Sequence, residues 1–444
     1  MPLSIDRRLY IPIVAIIGTG LLLLLYTPRP SSEPAMEQQS QFPPDAQHTH
    51  EIKSRDPKEC MAIIAASKFG SQSLNLPKSI LGPYAARAAP NQRLVRAFGI
   101  ENSFVVSDKA VSQEFRQRVE KNLHVGAEKW VEFAAMARSV ATAQVAGEGE
   151  RRNLFDVVQM LSMKMVRKVI WHVDEEGEGV DEKLGVLAKE VNKQWLVSKK
   201  YDEASLQAGG DVELPEKLKQ VLMDVFGWDG EESKENPLNF ILPGYETIWR
   251  VVLRCFLELS ARGHPNSGGW TKALKDFLNT PTPAQLSPEK DVDGAQISAL
   301  MISNEILRLY PPTRRIYRQF EDENGAVYSM AADIEGMHRD ATVWESDPLV
   351  FRPERWAGID QDANDSRWLP FGAKPFRCPA KEKSKKVYMP FGVSMIAILT
   401  GALLEATEGR WEYGGEKLPD SGVPLDTDRE AYEKAELRKI ATQE

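Results

Sequence analysis

A mainly α-helical body with a little β-sheet, preceded by one apolar amino-terminal helix, is the fold class this sequence predicts. Three observations predict it. Residues 113–146, 153–173, 183–198 and 214–226 repeat apolar side chains at three- and four-residue spacing, the period of amphipathic helices. A longer helix over 236–263 is punctuated at both ends, and a single hairpin pattern, 316–320 and 326–330, flanks the acidic turn 321–325. With 444 residues, 42% hydrophobic and 27% charged, the chain can bury a large core. Its net charge of -8 excludes a nucleic-acid surface, which needs clustered Lys and Arg that outweigh the acids.

Residues 9–26 form a nearly uncharged run broken only by Pro12, Gly18, Thr19 and Gly20. A helix of about 20 residues spans a bilayer, so this run suits a membrane anchor. A cleaved signal is disfavoured because the apolar stretch is long and Thr27-Pro28-Arg29-Pro30 lacks a small-residue cleavage pattern. The following segment, rich in Pro, Ser, Gln and His, reads as a flexible tether. The expected organisation is therefore an anchor over 1–28, a linker over 29–55 and a single folded domain over 56–444.

In the helix at 236–263, Asn236 suits the N-cap, Pro237 the first turn and Gly263 the C′ position. Inside it, Pro243 cannot donate to the carbonyl of Asn239, which predicts a kink just ahead of Gly244-Tyr245-Glu246-Thr247. A helix over 297–309 ends at Tyr310-Pro311-Pro312. The last strong helix, 390–405, is apolar on most faces and so expected to be buried.

Three cysteines, Cys60, Cys255 and Cys378, lie far apart with no C-x-x-C spacing, so neither a zinc site nor a disulfide framework has support. Cys60 and Cys255 sit in apolar helix-like stretches and read as small hydrophobes. Cys378 instead follows the Gly/Pro-containing run Pro370-Phe371-Gly372-Ala373-Lys374-Pro375-Phe376-Arg377, ahead of the buried helix. A cysteine so placed can present its sulfur to an iron as thiolate. Upstream, Glu305 and Arg308 share a helix face flanked by Ile306, Leu307 and Leu309. A buried pair of that kind needs a further partner, and Arg355 in Pro353-Glu354-Arg355-Trp356 is the natural one.

Helical Glu-x-x-Arg, then Pro-Glu-Arg-Trp, then a Cys loop resembles the carboxy-terminal signature of the cytochrome P450 family. The resemblance spans about 91–405 and is strongest from residue 236 onward. It implies the cytochrome P450 fold, a large helical body with small β-sheets, and haem b with Cys378 as the axial ligand of its iron. It makes Glu305, Arg308 and Arg355 a structural triad. Phe371 and Cys378 match the family's loop F-x-x-G-x-R-x-C-x-G, whereas Lys374, Phe376 and Ala380 stand in place of Gly, Arg and Gly. The family's loop arginine binds a haem propionate, so that contact is expected to move to Arg377, Arg314 or Arg315. The charged stretch 381–386 separates Cys378 from the helix at Pro390, which weakens helix-dipole support of the thiolate. Gly244-Tyr245-Glu246-Thr247 is similar to the family's acid/hydroxyl motif, so the resemblance assigns proton delivery to Glu246 and Thr247; their ordinary alternatives are a surface acid and a hydroxyl bonded back to its own helix. The family's Trp-x-x-x-Arg is incomplete at Trp130, because Ala134 holds the arginine position, and Trp130 reads as a core aromatic.

The implied activity is a haem-thiolate monooxygenase that inserts one atom of O2 into a lipophilic small molecule, with electrons from NADPH through NADPH-cytochrome P450 reductase. The divergent loop and short chain look similar to fungal oxygenases of secondary metabolism. Two alternatives stay open: a haem-thiolate isomerase that rearranges peroxides without a reductase, and a degenerate, non-catalytic haem-binding membrane protein. Lys374, Arg377, Lys381, Lys383, Lys385 and Lys386 surround the thiolate loop of an acidic chain and could steer an acidic reductase there. Arg7 and Arg8 before the apolar run favour a cytoplasmic amino terminus. The reductase requirement argues instead for a single-pass protein of the endoplasmic reticulum whose body faces the cytoplasm, and it is given precedence.

Overall fold

Several helices among the described residues start on a side chain that accepts the first unpaired backbone N–H groups. Asp56 accepts from Lys58 and Glu59, Asp108 from Val111, Asn153 from Asp156, Ser298 from Met301 and Asp333 from Gly336. The computed structural model describes residues 50–66, 79–147, 149–173, 177, 179–201, 212, 214–230, 234–288, 297–344, 347–357, 359, 366–384, 386–416, 418, 423 and 432–441. The expected anchor and most of the expected linker lie outside them. No helix of the described residues is long and apolar enough to cross a membrane.

In chain order, strand β1 (His50–Ser54) leads into α1 (Pro57–Ala65), then α2 (Pro83–Ala88), α3 (Gln92–Phe98), α4 (Lys109–Leu123) and α5 (Ala127–Val145). The short β2 (Arg151–Asn153) precedes α6 (Leu154–Trp171), α7 (Val180–Ser198), α8 (Glu216–Phe226) and the long α9 (Leu238–Ser260). Helices α10 (Ser267–Asn279), α11 (Pro283–Leu286) and α12 (Ala299–Leu309) follow, then the hairpin β3 (Ile316–Glu321) and β4 (Val327–Ala332). The chain closes with α13 (Ile334–His338), α14 (Ala341–Trp344), α15 (Phe391–Thr407), β5 (Trp411–Tyr413) and β6 (Glu436–Lys439). The mainly helical class with small sheets is what the periodicity predicts.

Three local expectations are corrected. The stretch 113–146 is two helices, because His124 (φ -85°, ψ 68°) and Gly126 (φ -89°, ψ 178°) leave the helical region between them. The body begins before Asp56: β1 runs parallel to β4, from His50 opposite Tyr328 to Ser54 opposite Ala332. A five-residue edge strand carries too little pattern to be told from a tether. The hairpin is longer than expected, with β3 antiparallel to β4 from Ile316 opposite Ala332 to Glu321 opposite Val327. A second sheet orders β2, β6 and β5 antiparallel.

The main core is built on α15, which is buried on nearly every face. It packs against α5, α9, α10 and α12. Gly401 permits a close approach to α10, since a Cβ there would lie 2.9 Å from the carbonyl oxygen of Leu274. A smaller cluster joins Cys60, Ile63 and Ile64 of α1 to Met330 and Ala332 of β4 and to Leu369 and Ala373 at the start of the Cys378 loop. Cys60 and Cys255 are both fully buried, and burial pushes each thiol up to about 12, so both remain neutral apolar filling.

Helix α9 runs through Pro243. The carbonyl of Asn239, left without its helical donor by the proline, accepts instead from the side-chain amide of Asn102 at 3.1 Å. Asn239 returns the contact through its own side chain, which accepts from the backbone N–H of Glu101 at 2.8 Å. Asn236 accepts from the backbone N–H of Leu238 at 2.9 Å, while its amide donates to the carbonyls of Phe98 and Gly99. The opened turn of α9 is thus tied to the segment after α3.

Candidate active site

Glu305 is the fixed point from which the site is built. It is fully buried on α12, and its two oxygens accept five hydrogen bonds. Arg308, one turn along, donates with both Nε and Nη2 at 2.9 and 2.8 Å. Arg355 donates from Nε at 2.9 Å, as do the backbone N–H of Arg352 and the indole of Trp356. The bidentate pair and the saturated lone pairs are what a buried ion pair needs to offset desolvation. The structure brings Glu305, Arg308 and Arg355 together in one network, buried at every member.

That network reaches the cysteine loop. Arg308 Nη1 donates to the carbonyl of His338 at 2.7 Å, and His338 Nε2 accepts from the backbone N–H of Leu369 at 3.0 Å. With Nε2 accepting, Nδ1 is the protonated nitrogen and donates to the carbonyl of Arg308 at 3.1 Å. Trp344, Trp356, Trp368 and Phe371 pack in succession, with neighbouring ring centroids 5.4, 5.5 and 5.8 Å apart. Sequence reasoning gave His338 no role, since a lone histidine at the end of a short helix carries no signal until its carbonyl and amide partners are known.

Within the loop, Gly372 turns at φ +69° and donates to the carbonyl of Leu369, and the N–H of Cys378 donates to the carbonyl of Phe371 at 2.8 Å. The Phe371 ring lies against Gly392, where an added Cβ would come within 2.8 Å of it. A single 3-10 turn, Pro379–Lys381, follows Cys378 directly, and α15 starts only at Phe391. Although Cys378 is solvent-accessible, the protein packed around its sulfur pushes the thiol above its ordinary range. Opposing that rise, the backbone N–H of Ala380 bonds the sulfur and the guanidinium groups of Arg116 and Arg87 favour the anion, while Glu382 works against it. The 3-10 turn therefore supplies the N–H that the delayed helix does not.

Arg116 is an arginine beside the cysteine loop that the sequence reading missed. It extends from α4, pairs with Glu120 at 2.7 Å and donates to the carbonyl of Arg377 beside Cys378. Four residues before it stands Ser112, where the family's motif would hold tryptophan, so the pattern pointed to Trp130 instead. Trp130 is fully buried on α5, packed on Phe133 and Phe391, with no hydrogen-bond partner for its indole N–H among the described residues.

The other predicted residues are distributed more widely. Arg314 pairs with Glu335, and Arg315 lies 3.5 Å from Asp333, so the charge of each is met by a carboxylate. Arg377 is half-buried in the loop. Glu246 is buried on α9, and the Thr247 hydroxyl donates to the carbonyl of Pro243 at 2.9 Å, the backbone acceptor one turn earlier. Lys374, Lys383 and Lys386 are exposed around the loop, Lys381 rests over the Trp368 ring at 4.0 Å, and Lys385 lies outside the described residues. Arg87 and Arg318 are both more than nine-tenths buried; burial and a neighbouring guanidinium lower them to about 10 and about 9, and both stay cationic at neutral pH.

One soft sulfur with N–H support, buried cations near it and the Trp130 indole N–H without an acceptor among the described residues form a donor set that fits an iron porphyrin with acidic side chains.

The family model for cytochrome P450 matches residues 300–381. Cytochrome P450 3A17 of Cavia porcellus is 32% identical over 147 residues, 31% of this chain and 28% of that protein. Echinocystic acid 23-monooxygenase of Saponaria officinalis is 26% identical over 211 residues, 44% of this chain and 36% of that protein. The chain thus spans well under half the length of these curated relatives. Two solved cytochromes P450 of Thermus thermophilus share the fold: a six-coordinated one at TM-score 0.51 and 13% identity, and CYP175A1 at 0.52 and 15%, each comparison covering 88% of this chain and 100% of the other. Residues 300–381 thus resemble the cytochromes P450 in sequence, and the solved structures show the same fold over most of the chain.

Proposed function

We propose that the chain is a haem-thiolate monooxygenase that inserts one oxygen atom from O2 into a lipophilic small molecule. The observation that carries this reading is Cys378, held in a loop fixed through Glu305, Arg308 and His338, with the Ala380 N–H bonded to its sulfur and the charges of Arg116 and Arg87 favouring its anion. When bound, haem would supply two-electron activation of O2, with one atom going to the substrate and the other leaving as water.

The chain's own residues do the rest. Cys378 would hold the iron through sulfur, and cationic side chains near the loop would face the acidic side chains of the porphyrin. Arg377, Arg314 and Arg315 are second-choice partners, the last two being already neutralised by Glu335 and Asp333. Glu246, buried beside the opened turn of α9, would hold a proton next to the reacting centre, and the Thr247 hydroxyl would exchange its Pro243 acceptor to pass it on. The exposed lysines around the loop favour an acidic electron donor, and NADPH-cytochrome P450 reductase fits that chemistry. The apolar run 9–26 would fasten the chain to the endoplasmic reticulum with the body in the cytoplasm, and the substrate would be a lipophilic product of secondary metabolism.

The absorption spectrum of the reduced, carbon monoxide-bound protein tests the reading. The wild type is expected to show the red-shifted Soret band of a thiolate ligand, and Cys378→Ser to lose it. A wild-type band typical of nitrogen ligation, or no pigment at all, would end the monooxygenase assignment.

A further inference from the structure

Phe376 stands where the family's loop carries an arginine, and the ring is flanked by cations. The guanidinium carbon of Arg87 on α2 lies 4.8 Å from its centroid and that of Arg318 on β3 lies 5.2 Å from it, while Tyr84 meets its edge at 5.1 Å. Arg87 is only 8% exposed. Its guanidinium has no hydrogen bond or ion pair among the described residues; the Phe104 ring lies 4.9 Å away, and the Cys378 sulfur, whose anion its charge favours, is a further neighbour. Arg318 bonds only neutral acceptors, the carbonyls of Ile64 at 2.8 and 3.1 Å and of Tyr317 at 2.7 Å. Arg116, the third cation here, is already committed to Glu120 and the Arg377 carbonyl.

Two buried positive charges without a carboxylate are costly in a chain that has 64 acidic against 56 basic residues to choose from. An anion from outside the chain would complete them. An arginine at position 376 would add a third cation between Arg87 and Arg318, whereas the phenyl ring offers both a π face. Phe376 and Arg87 therefore read as a compensating pair, in which the cation has moved from the loop to α2.

We propose that Arg87 takes over the missing loop arginine's task of anchoring a propionate carboxylate of the haem, with Phe376 as the spacer that sets Arg87 beside Arg318. The inference rests on the haem-thiolate reading of Cys378 and adds to it which residues of this chain grip the acidic end of the cofactor.

The test compares haem release from the full chain to an excess of a haem-scavenging apoprotein, using natural haem and its dimethyl ester. Charged hydrogen bonds of this kind are worth about 1.5–3 kcal/mol, so Arg87→Gln is expected to release natural haem about tenfold to a hundredfold faster. Esterified haem should leave the wild type equally fast and leave Arg87→Gln no faster than natural haem does. Returning the charge to the loop in Arg87→Gln/Phe376→Arg should recover most of the retention. Arg87→Met guards against misfolding, since an apolar replacement of a buried charge is often neutral for stability. Melting of the haem-free protein should be unchanged or raised in it while retention falls, which a merely structural arginine would not give. Equal release of natural haem from the wild type and both Arg87 variants, with the thiolate Soret band present, overturns this inference alone. Absence of that band from the wild type overturns the parent reading and this one with it.

Discussion

Glu305 shows how one residue can fix a site it does not touch. Its carboxylate neutralises Arg308 and Arg355, and the carbonyls those arginines collect from His338, Pro348 and Val350 define the path of the chain toward the cysteine loop. Glu305→Gln preserves the shape but removes the charge, leaving the buried Arg308 without a carboxylate among the described residues and Arg355 with only Asp347, 3.7 Å away. We expect a loss of about 3–5 kcal/mol in unfolding free energy, read from the urea midpoint, together with lower haem content. An unchanged midpoint would show that the loop is held by its aromatic packing alone. Arg87 makes the opposite case: its surroundings are built to keep a charge that the protein itself leaves unanswered.

At the scale of an element, α9 carries the same logic through a single proline. Pro243 takes one donor out of the helix, and Asn102 replaces it at the Asn239 carbonyl. Asn102→Ala is expected to cost about 1–3 kcal/mol, the usual penalty of a buried acceptor left unpaired. Pro243→Ala restores a helical N–H for that carbonyl, so the double variant should regain much of the loss. Chemical denaturation of the four proteins measures the coupling, and strictly additive losses would mean that Asn102 and Pro243 act independently. The cycle also asks what the opened turn is for, because Glu246 and Thr247 lie just beyond it and closing it should alter them without altering Cys378.

For the whole molecule, the decisive packing is that of α15 with the helices around it, and of the small sheet with the cysteine loop. β1 belongs to that sheet. The backbone N–H of Asp333 donates to the carbonyl of Ser54 at 2.9 Å, and the Cys60 thiol donates to the same carbonyl. A chain starting at Asp56 should therefore melt several degrees below one starting at His50, since it loses the parallel pairing and leaves buried donors unpaired. Equal melting temperatures would place β1 outside the cooperative unit.

Periodicity made the helical class legible, and the order Glu305-x-x-Arg308, Arg355, Cys378 made the site legible, because helix faces and short loop motifs are properties of neighbouring residues. The split at His124, the strand at His50–Ser54, the link through His338 and the placement of Arg116 and Arg87 were not, because each depends on a partner far away in sequence: 261 residues separate Arg116 from Arg377. By itself the sequence determined which residue types would meet as ligand, counter-ion and helix breaker. Only the tertiary structure decided which arginines lie near Cys378, since hydrogen bonds and charge pairs are chosen by distance in space, and the chain reaches those distances only when it is packed.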